Sequence, residues 1–173
     1  MPITYATAGT FTYLNAKQLA PIVAAFETIA WPCPQTRIPE IVDQLGWTIV
    51  SDRVHTKADT HLALTWPRAD FAKADGNLYQ LDMDVSDRVS SDDPAGMARA
   101  HQCYPLVCDA VGAIMGRPPD GACTEEGVTQ TWWELPTGGR LAVDIYQKAI
   151  GMTLSSQAWA DSQRFEETHD MSE

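Results

Sequence analysis

Residues 78–86 read LYQLDMDVS, and the alternation in this stretch decides the fold class. Its apolar residues recur at every second position, which is the period of a half-buried β-strand. They are Tyr79, Leu81, Met83 and Val85. Asp82 and Asp84 occupy positions between them, so their side chains should project from the opposite face. The stretch therefore predicts a strand with one apolar side and one side that carries carboxylates.

Five further stretches on either side of this strand also predict strands. They are WTIVSD, HLALTW, VTQTWWEL, RLAVDIY and AIGMTLSS, at residues 47–52, 61–66, 128–135, 140–146 and 149–156. The links within each group are too short for helical crossovers, so neighbouring strands should pair antiparallel. The segment PRADFAKADGN, residues 67–77, is polar and contains glycine, and we expect it to be a connection outside the core.

Helical spacing of apolar residues predicts helices before and between the strand groups. The first begins after Asn15, a good N-cap residue, and a second short one covers residues 36–45. The longest begins after Asp93 and ends at Gly116, and a short helix follows the last strand. The predicted fold is α+β: a single antiparallel sheet of about six strands, in the order α-α-β-β-β-α-β-β-β-α, packed against helices.

Length and composition indicate one domain that spans residues 1–173. A hydrophobic content of 45% is enough for one core, and proline and glycine are spread along the chain without forming a linker. We expect residues 1–12 and 166–173 to be loosely ordered. The start of the chain does not resemble a secretory signal, and no apolar run reaches the length of a membrane span, which predicts a cytoplasmic protein.

Charge is the strongest signal in the composition. Twelve basic residues stand against 23 acidic residues, which gives a net charge of −11. Phosphate groups would repel such a surface, so we expect no nucleic-acid partner and no anionic membrane partner. A basic protein would be attracted to it, although acidity also serves general solubility.

The motifs of common enzyme classes are missing from the sequence. The four histidines, at positions 55, 61, 101 and 169, form no metal-binding spacing with each other or with cysteine. No nucleophile elbow, phosphate-binding loop or dinucleotide fingerprint occurs. We therefore expect no enzymatic activity, no metal site and no cofactor.

The carboxylates of the predicted sheet allow several interpretations. Asp82 and Asp84 share one strand face, and Asp144 and Glu134 are expected to join them across the sheet. Such a group could hold Mg²⁺ or Ca²⁺, or exchange protons. It could also be a solvated sheet face, or a surface that binds lysine and arginine side chains of a partner.

Aromatic residues supply further candidates for partner binding. Phe71 is isolated in the polar segment 67–77, so it either folds back into the core or anchors a partner. Adjacent strand residues face opposite sides, so either Trp132 or Trp133 must leave the main core. The residues predicted to bind a partner are Phe71, Lys73, Asp82, Asp84 and Trp132.

Several segments resemble a family of small actinobacterial proteins that includes the immunity factor for the tuberculosis necrotizing toxin. They are IAWPCPQTRIPEIVDQLGW, GRPP, TWWEL, LAVDIY and IGMTLSS, within residues 25–157. These segments are structural, so the resemblance implies a role and assigns no site residue. The implied role is a cytosolic immunity protein that binds a secreted NAD-glycohydrolase toxin, as a monomer in a 1:1 complex, and sterically blocks it.

Two other functions remain open at this point. The alternation of helices and strands is similar to the layout of specialised secretion chaperones, which bind an export signal and dimerise. A small hydrolase or metal-dependent enzyme would use Asp82, Asp84 or the histidines.

Overall fold

The computed structural model describes residues 4–146 and 148–162, and within them nine strands form one antiparallel sheet. The helices are α1 (Ala16–Glu27), α2 (Ile38–Gln44) and α3 (Pro94–Met115), with a 3-10 helix at Gln35–Arg37 and helical residues at 157–162. The strands are β1 (Cys33–Pro34), β2 (Thr48–Asp52), β3 (His55–Asp59), β4 (Arg68–Ala74), β5 (Asn77–Asp84), β6 (Gly121–Glu125), β7 (Val128–Glu134), β8 (Gly139–Tyr146) and β9 (Ala149–Ser156).

The sheet consists of two four-stranded meanders that meet in its middle. Its order is β2-β3-β4-β5-β9-β8-β7-β6, and the two-residue β1 pairs with the start of β5. The meanders join where β5 pairs with β9, with Met83 opposite Met152 and Asp82 opposite Thr153. β5 and β9 are therefore the central strands.

Capping residues set the helix boundaries. Asn15 forms a reciprocal capping box with Gln18, as its Oδ1 accepts from the Gln18 backbone at 2.9 Å and the Gln18 side chain accepts from the Asn15 backbone at 3.0 Å. The Asp93 side chain caps α3 through the backbone N–H of Gly96. Gly116 ends α3 with a φ of 73°, a conformation that glycine adopts without strain. The predicted caps at Asn15 and Asp93 are confirmed.

The helices and one face of the sheet enclose the core. α1 packs against α3, and α3 packs against β8 and β9. The sheet contributes alternate residues of β5, β8 and β9 to this core, which are Leu81, Met83, Leu141, Val143, Ile145, Ile150, Met152 and Leu154. The remaining residues of these strands project from the opposite face, which we call the open face.

The prediction of a six-stranded sheet is wrong, because the sheet has nine strands. Residues 61–66 form no strand, whereas β4 lies in the segment 67–77 that was expected to be a connection, and β3 lies between two of the predicted strands. In β4, Ala69 and Phe71 face the core while Arg68 and Asp70 face away. Charged residues on the face that points away from the core interrupt the apolar pattern of β4, and the sequence was therefore interpreted as a loop.

The part of the chain ahead of α1 lies against the loop after β5. The backbone N–H of Ala6 donates to the carbonyl oxygen of Arg88 at 2.9 Å, and that of Thr12 donates to Asp87 Oδ2 at 2.8 Å. Of the chain ends expected to be loosely ordered, residues 1–3 and 166–173 lie outside the described residues.

No helix in residues 4–146 and 148–162 combines the length and the apolar character that crossing a membrane requires.

Candidate functional site

The open face of the sheet is concave and carries a partly open cavity of about 930 Å³. The cause lies in β9, whose open-face residues are Gly151, Thr153 and Ser155, all with small side chains. The residues between them are large and apolar and belong to the core. Because β9 is a central strand, its small residues leave a hollow in the middle of the sheet.

One wall of this cavity is built around Arg88, which follows β5. Its Nε lies 2.7 Å from Asp84 Oδ2, and its guanidinium lies 4.9 Å from the centre of the Trp66 ring. A carboxylate and an aromatic face thus hold the same guanidinium, an arrangement that suits the planar charge of arginine. Arg88 is fixed in place and its charge is compensated.

The opposite wall is built in the same way around Arg140 of β8. Its guanidinium bonds Glu134 Oε1 at 2.7 Å and Asp161 Oδ1 at 2.8 Å, and it lies 5.7 Å from the Trp132 ring centre. The charges of both arginines are therefore neutralised by carboxylates of the chain itself.

The floor between the walls carries two carboxyl groups, on Asp82 and Asp144. The Thr153 hydroxyl lies 2.8 Å from Asp82 Oδ1 and 3.1 Å from Asp144 Oδ2. The Gln80 side chain donates to the second oxygen of Asp82 at 2.9 Å. Within the described residues, neither Asp82 nor Asp144 forms an ion pair with a lysine, arginine or histidine side chain. The floor is thus anionic and uncompensated.

Burial perturbs the acids of the floor. Asp144 retains some accessible surface because it opens into the cavity, but protein surrounds its other sides, and this desolvation raises its pKa to about 6. Desolvation also raises the pKa of Asp84, against the opposing influence of Arg88. The neighbouring carboxylate of Asp82 adds to both effects. A cation placed on this floor would reverse the penalty that ionised Asp144 experiences.

The structure brings three of the five predicted site residues together at this cavity. Asp82, Asp84 and Trp132 all line it, and Asp144 joins the two aspartates across the sheet as expected. Glu134 contacts the same cavity through its ion pair with Arg140. Both tryptophans are buried, but Trp132 lies outside the core cluster and lines the cavity, whereas Trp133 belongs to the core and donates to the carbonyl oxygen of Arg117.

The other two predicted residues lie elsewhere. Phe71 is fully buried and packs edge-on against Trp47, with ring centres 6.4 Å apart, so it belongs to the core and offers no surface to a partner. Lys73 pairs with Asp52 of β2 at 2.7 Å and does not line the cavity. Phe71 is therefore withdrawn as a candidate anchor.

Sequence reasoning missed Thr153, Arg88, Arg140 and Trp66. A usable signal was present in AIGMTLSS, residues 149–156, where small and large residues alternate. A strand with one face of glycine, threonine and serine predicts a hollow if that strand is central, but its central position follows only from the sheet order.

Metal binding was one interpretation of the carboxyl groups on the sheet. No group of three or more histidine, cysteine, aspartate or glutamate side chains is arranged to hold a metal ion in the described part of the chain. The floor instead offers hydrogen-bond acceptors to a donor that carries positive charge.

Comparison with known proteins identifies the family. No curated protein and no solved structure matches the chain. The model of a family of unknown function, DUF6301, matches residues 17–156, a range that includes α1 from its second residue and all nine strands. This match covers most of the sequence, and the chain therefore belongs to the DUF6301 family.

Proposed function

We propose that this chain is a binding protein rather than an enzyme, and that it acts as an immunity protein. In this proposal it binds a secreted NAD-glycohydrolase toxin in the cytoplasm of the producing cell, as a monomer in a 1:1 complex. Bound toxin cannot accept its substrate because the complex covers its catalytic cleft. The toxin and its activity come from the resemblance within residues 25–157.

One observation carries the binding role, namely the concave open face with its uncompensated acidic floor. A sheet face that only meets water needs no cavity of about 930 Å³ and gains nothing from an acid whose pKa is raised to about 6. Burying an unpaired carboxylate costs free energy, and a cationic partner group would recover it. The net charge of −11 would in addition steer a basic partner towards the protein.

Co-expression with NAD-glycohydrolase toxin domains tests this proposal. We expect the chain to restore growth and cellular NAD in bacteria that express such a toxin, and to co-purify with it in a 1:1 ratio. Failure to protect against every toxin of this class, together with no complex by size-exclusion chromatography, would contradict it.

Two matched variants locate the surface. Thr153→Lys places a cation on the floor of the cavity, so we expect it to abolish protection. Val54→Arg changes an 81% exposed residue at the tip of the β2–β3 hairpin and should protect as the parent does. The reverse result would place toxin binding on the hairpin instead of the open face.

A secretion chaperone is the second candidate, and the edge of the sheet favours it. Ile49 and Val50 on the edge strand β2 are exposed, as is Val54 beside them. Exposed apolar residues on a sheet edge can pair with an added strand. Light scattering separates the two functions, because a stable dimer favours the chaperone and a monomer favours the immunity protein.

A further inference from the structure

We propose that the floor of the open-face cavity binds the cationic head group of one lysine or arginine side chain of the protein partner, between Asp82 and Asp144. This inference rests on the proposed function, and it names the chemistry that the partner presents to the cavity.

A count of hydrogen-bond donors shows what the floor lacks. The Thr153 hydroxyl is within reach of Asp82 Oδ1 and of Asp144 Oδ2, but it carries one proton and donates to one carboxyl at a time. Asp82 has a second donor in the Gln80 amide, whereas Thr153 is the side-chain donor to Asp144 within the described residues. If Thr153 donates to Asp82, Asp144 needs either a proton of its own or a donor from outside.

The cations already present in the cavity do not supply that donor. Arg88 is committed to Asp84 and Arg140 to Glu134 and Asp161. Arg68 also lines the cavity and pairs with Asp59, and the Lys148 Nζ lies 5.9 Å from the centre of the Tyr5 ring. Lys57 lines the cavity as well, but within the described residues it forms no ion pair with Asp82 or Asp144. The floor is therefore open to a lysine or arginine of another molecule.

The space above the floor suits a long side chain. Ala142 separates Thr153 from Trp132 in one cross-strand row, and its small side chain leaves a path over the floor that the Trp132 indole borders. The apolar stem of a lysine or arginine can pack against such an indole while its head group reaches the carboxyls. An ammonium group has three donors, and Asp82, Asp144 and the Thr153 oxygen provide three acceptors.

The arrangement of the floor favours a basic segment of a protein over a metal ion. Within the described residues, no group of three or more histidine, cysteine, aspartate or glutamate side chains converges on an ion position. The raised pKa of Asp144 agrees with a carboxyl that is short of positive charge. The protein as a whole is acidic, so long-range attraction also favours a basic partner.

Carbon-13 NMR of the aspartate carboxyl groups tests the inference with short peptides. The probes are acetyl-Gly-Lys-Gly-amide and acetyl-Gly-Arg-Gly-amide, and the control is the same peptide with norleucine, which keeps the stem and lacks the charge. At pH 7.5 we expect at least one basic peptide to shift the carboxyl signals of Asp82 and Asp144. The norleucine peptide should bind at least about tenfold more weakly than the basic peptide.

Three variants complete the experiment. Asp144→Asn and Thr153→Lys should each weaken binding of the basic peptide about tenfold or more, because one removes a charge and the other occupies the floor. Asp52→Asn, which changes an exposed carboxyl outside the cavity, should bind as the parent does. The inference is overturned if neither basic peptide shifts the two signals, or if Asp144→Asn binds with unchanged affinity.

The inference and the proposed function can fail separately. Peptide binding in a chain that protects against no toxin would retain the cation site and remove the immunity role. A toxin complex with the same affinity for parent and Asp144→Asn would retain the immunity role and remove the cation site.

Discussion

The carboxyl groups of Asp82 and Asp144 meet at the same hydroxyl group although their strands are not neighbours in the sheet. Asp82 lies on β5 and Asp144 on β8, and Thr153 on the intervening strand β9 contacts both. Gly151 on β9 lies opposite Asp84 on one side and Asp144 on the other. The anionic floor therefore depends on small residues at the centre of the sheet.

Replacing the buried acid should stabilise the fold. Asp144 has a pKa raised from 3.8 to about 6, so its ionisation destabilises the folded state. This cost is absent below pH 4, develops between pH 4 and pH 6, and is complete above that range. We expect Asp144→Asn to raise the free energy of unfolding at pH 8 by about 1 kcal/mol, with about 3 kcal/mol as the upper limit set by the pKa change. Urea denaturation at pH 8 and pH 4 measures it.

Asp52 is the control, because it is an exposed acid whose pKa is lowered instead of raised. The hydrogen-bonded ion pair with Lys73 lowers this pKa, so Asp52→Asn should not stabilise the protein at any pH. A loss of stability in Asp144→Asn at pH 8 would mean that the ionised carboxyl supports the fold and that the floor is not short of positive charge.

Gly121 should not tolerate a side chain because it lies under Trp132. A Cβ built on Gly121 would be 2.2 Å from Cζ2 of the Trp132 indole, so the ring would have to move. We expect Gly121→Ala to cost about 1–3 kcal/mol and to change the near-ultraviolet circular dichroism of the tryptophans. Gly9→Ala, which meets no atom within 4 Å, should leave both unchanged. An unperturbed spectrum in Gly121→Ala would contradict the position of Trp132.

Phe71 should behave as a core residue. Its ring is fully buried against Trp47, so Phe71→Ala should lower the free energy of unfolding by about 3–5 kcal/mol in urea denaturation. A surface anchor would give a change within about 0.5 kcal/mol. Asp92→Ala, at an exposed loop residue, is the matched surface control.

Toxin binding should weaken in acid. A cation on the floor favours ionised Asp144, whose pKa is about 6 without it, so protonation competes with binding below that pH. The titratable groups that line the cavity around it are Lys57, Arg68, Asp70, Asp82, Asp84, Arg88, Cys123, Glu125, Arg140, Tyr146 and Lys148. We expect the dissociation constant, measured by calorimetry, to rise about tenfold from pH 7.5 to pH 5. The same rise in Asp144→Asn would assign the pH dependence to another group.

The sequence was informative where local chemistry decides the structure. Asn15, Asp93 and Gly116 mark helix ends through side-chain caps and a left-handed backbone, and each does so within its own segment. Strands β5, β7, β8 and β9 were predicted because their apolar residues alternate.

The register between strands could not be predicted, because it is set by residues that are distant in the sequence. Tyr79 was assigned to the core face of its strand, but the register with β4 shifts at this point. Leu78 consequently faces the core, and Tyr79 instead contacts Trp159 with ring centres 4.3 Å apart. Periodicity cannot locate such a bulge, because the partner strand sets the register.

The sequence predicted the acidic residues of the candidate site but not the cavity that they line. Asp82, Asp84 and Asp144 followed from strand alternation, but the hollow that joins them requires β9 to lie between β5 and β8. The arginine walls were missed because each depends on a residue outside the strands, namely Arg88 after β5 and Asp161 after β9.

The most direct test of the central claim compares toxin binding by the parent chain and by Asp144→Asn, using calorimetry at pH 7.5. We predict that the variant is at least as stable as the parent and yet binds the NAD-glycohydrolase domain at least about 30-fold more weakly, since losing one partner of a buried charge pair costs about 2 kcal/mol or more. Equal dissociation constants for the two chains would contradict the claim that the acidic floor binds a cation of the partner.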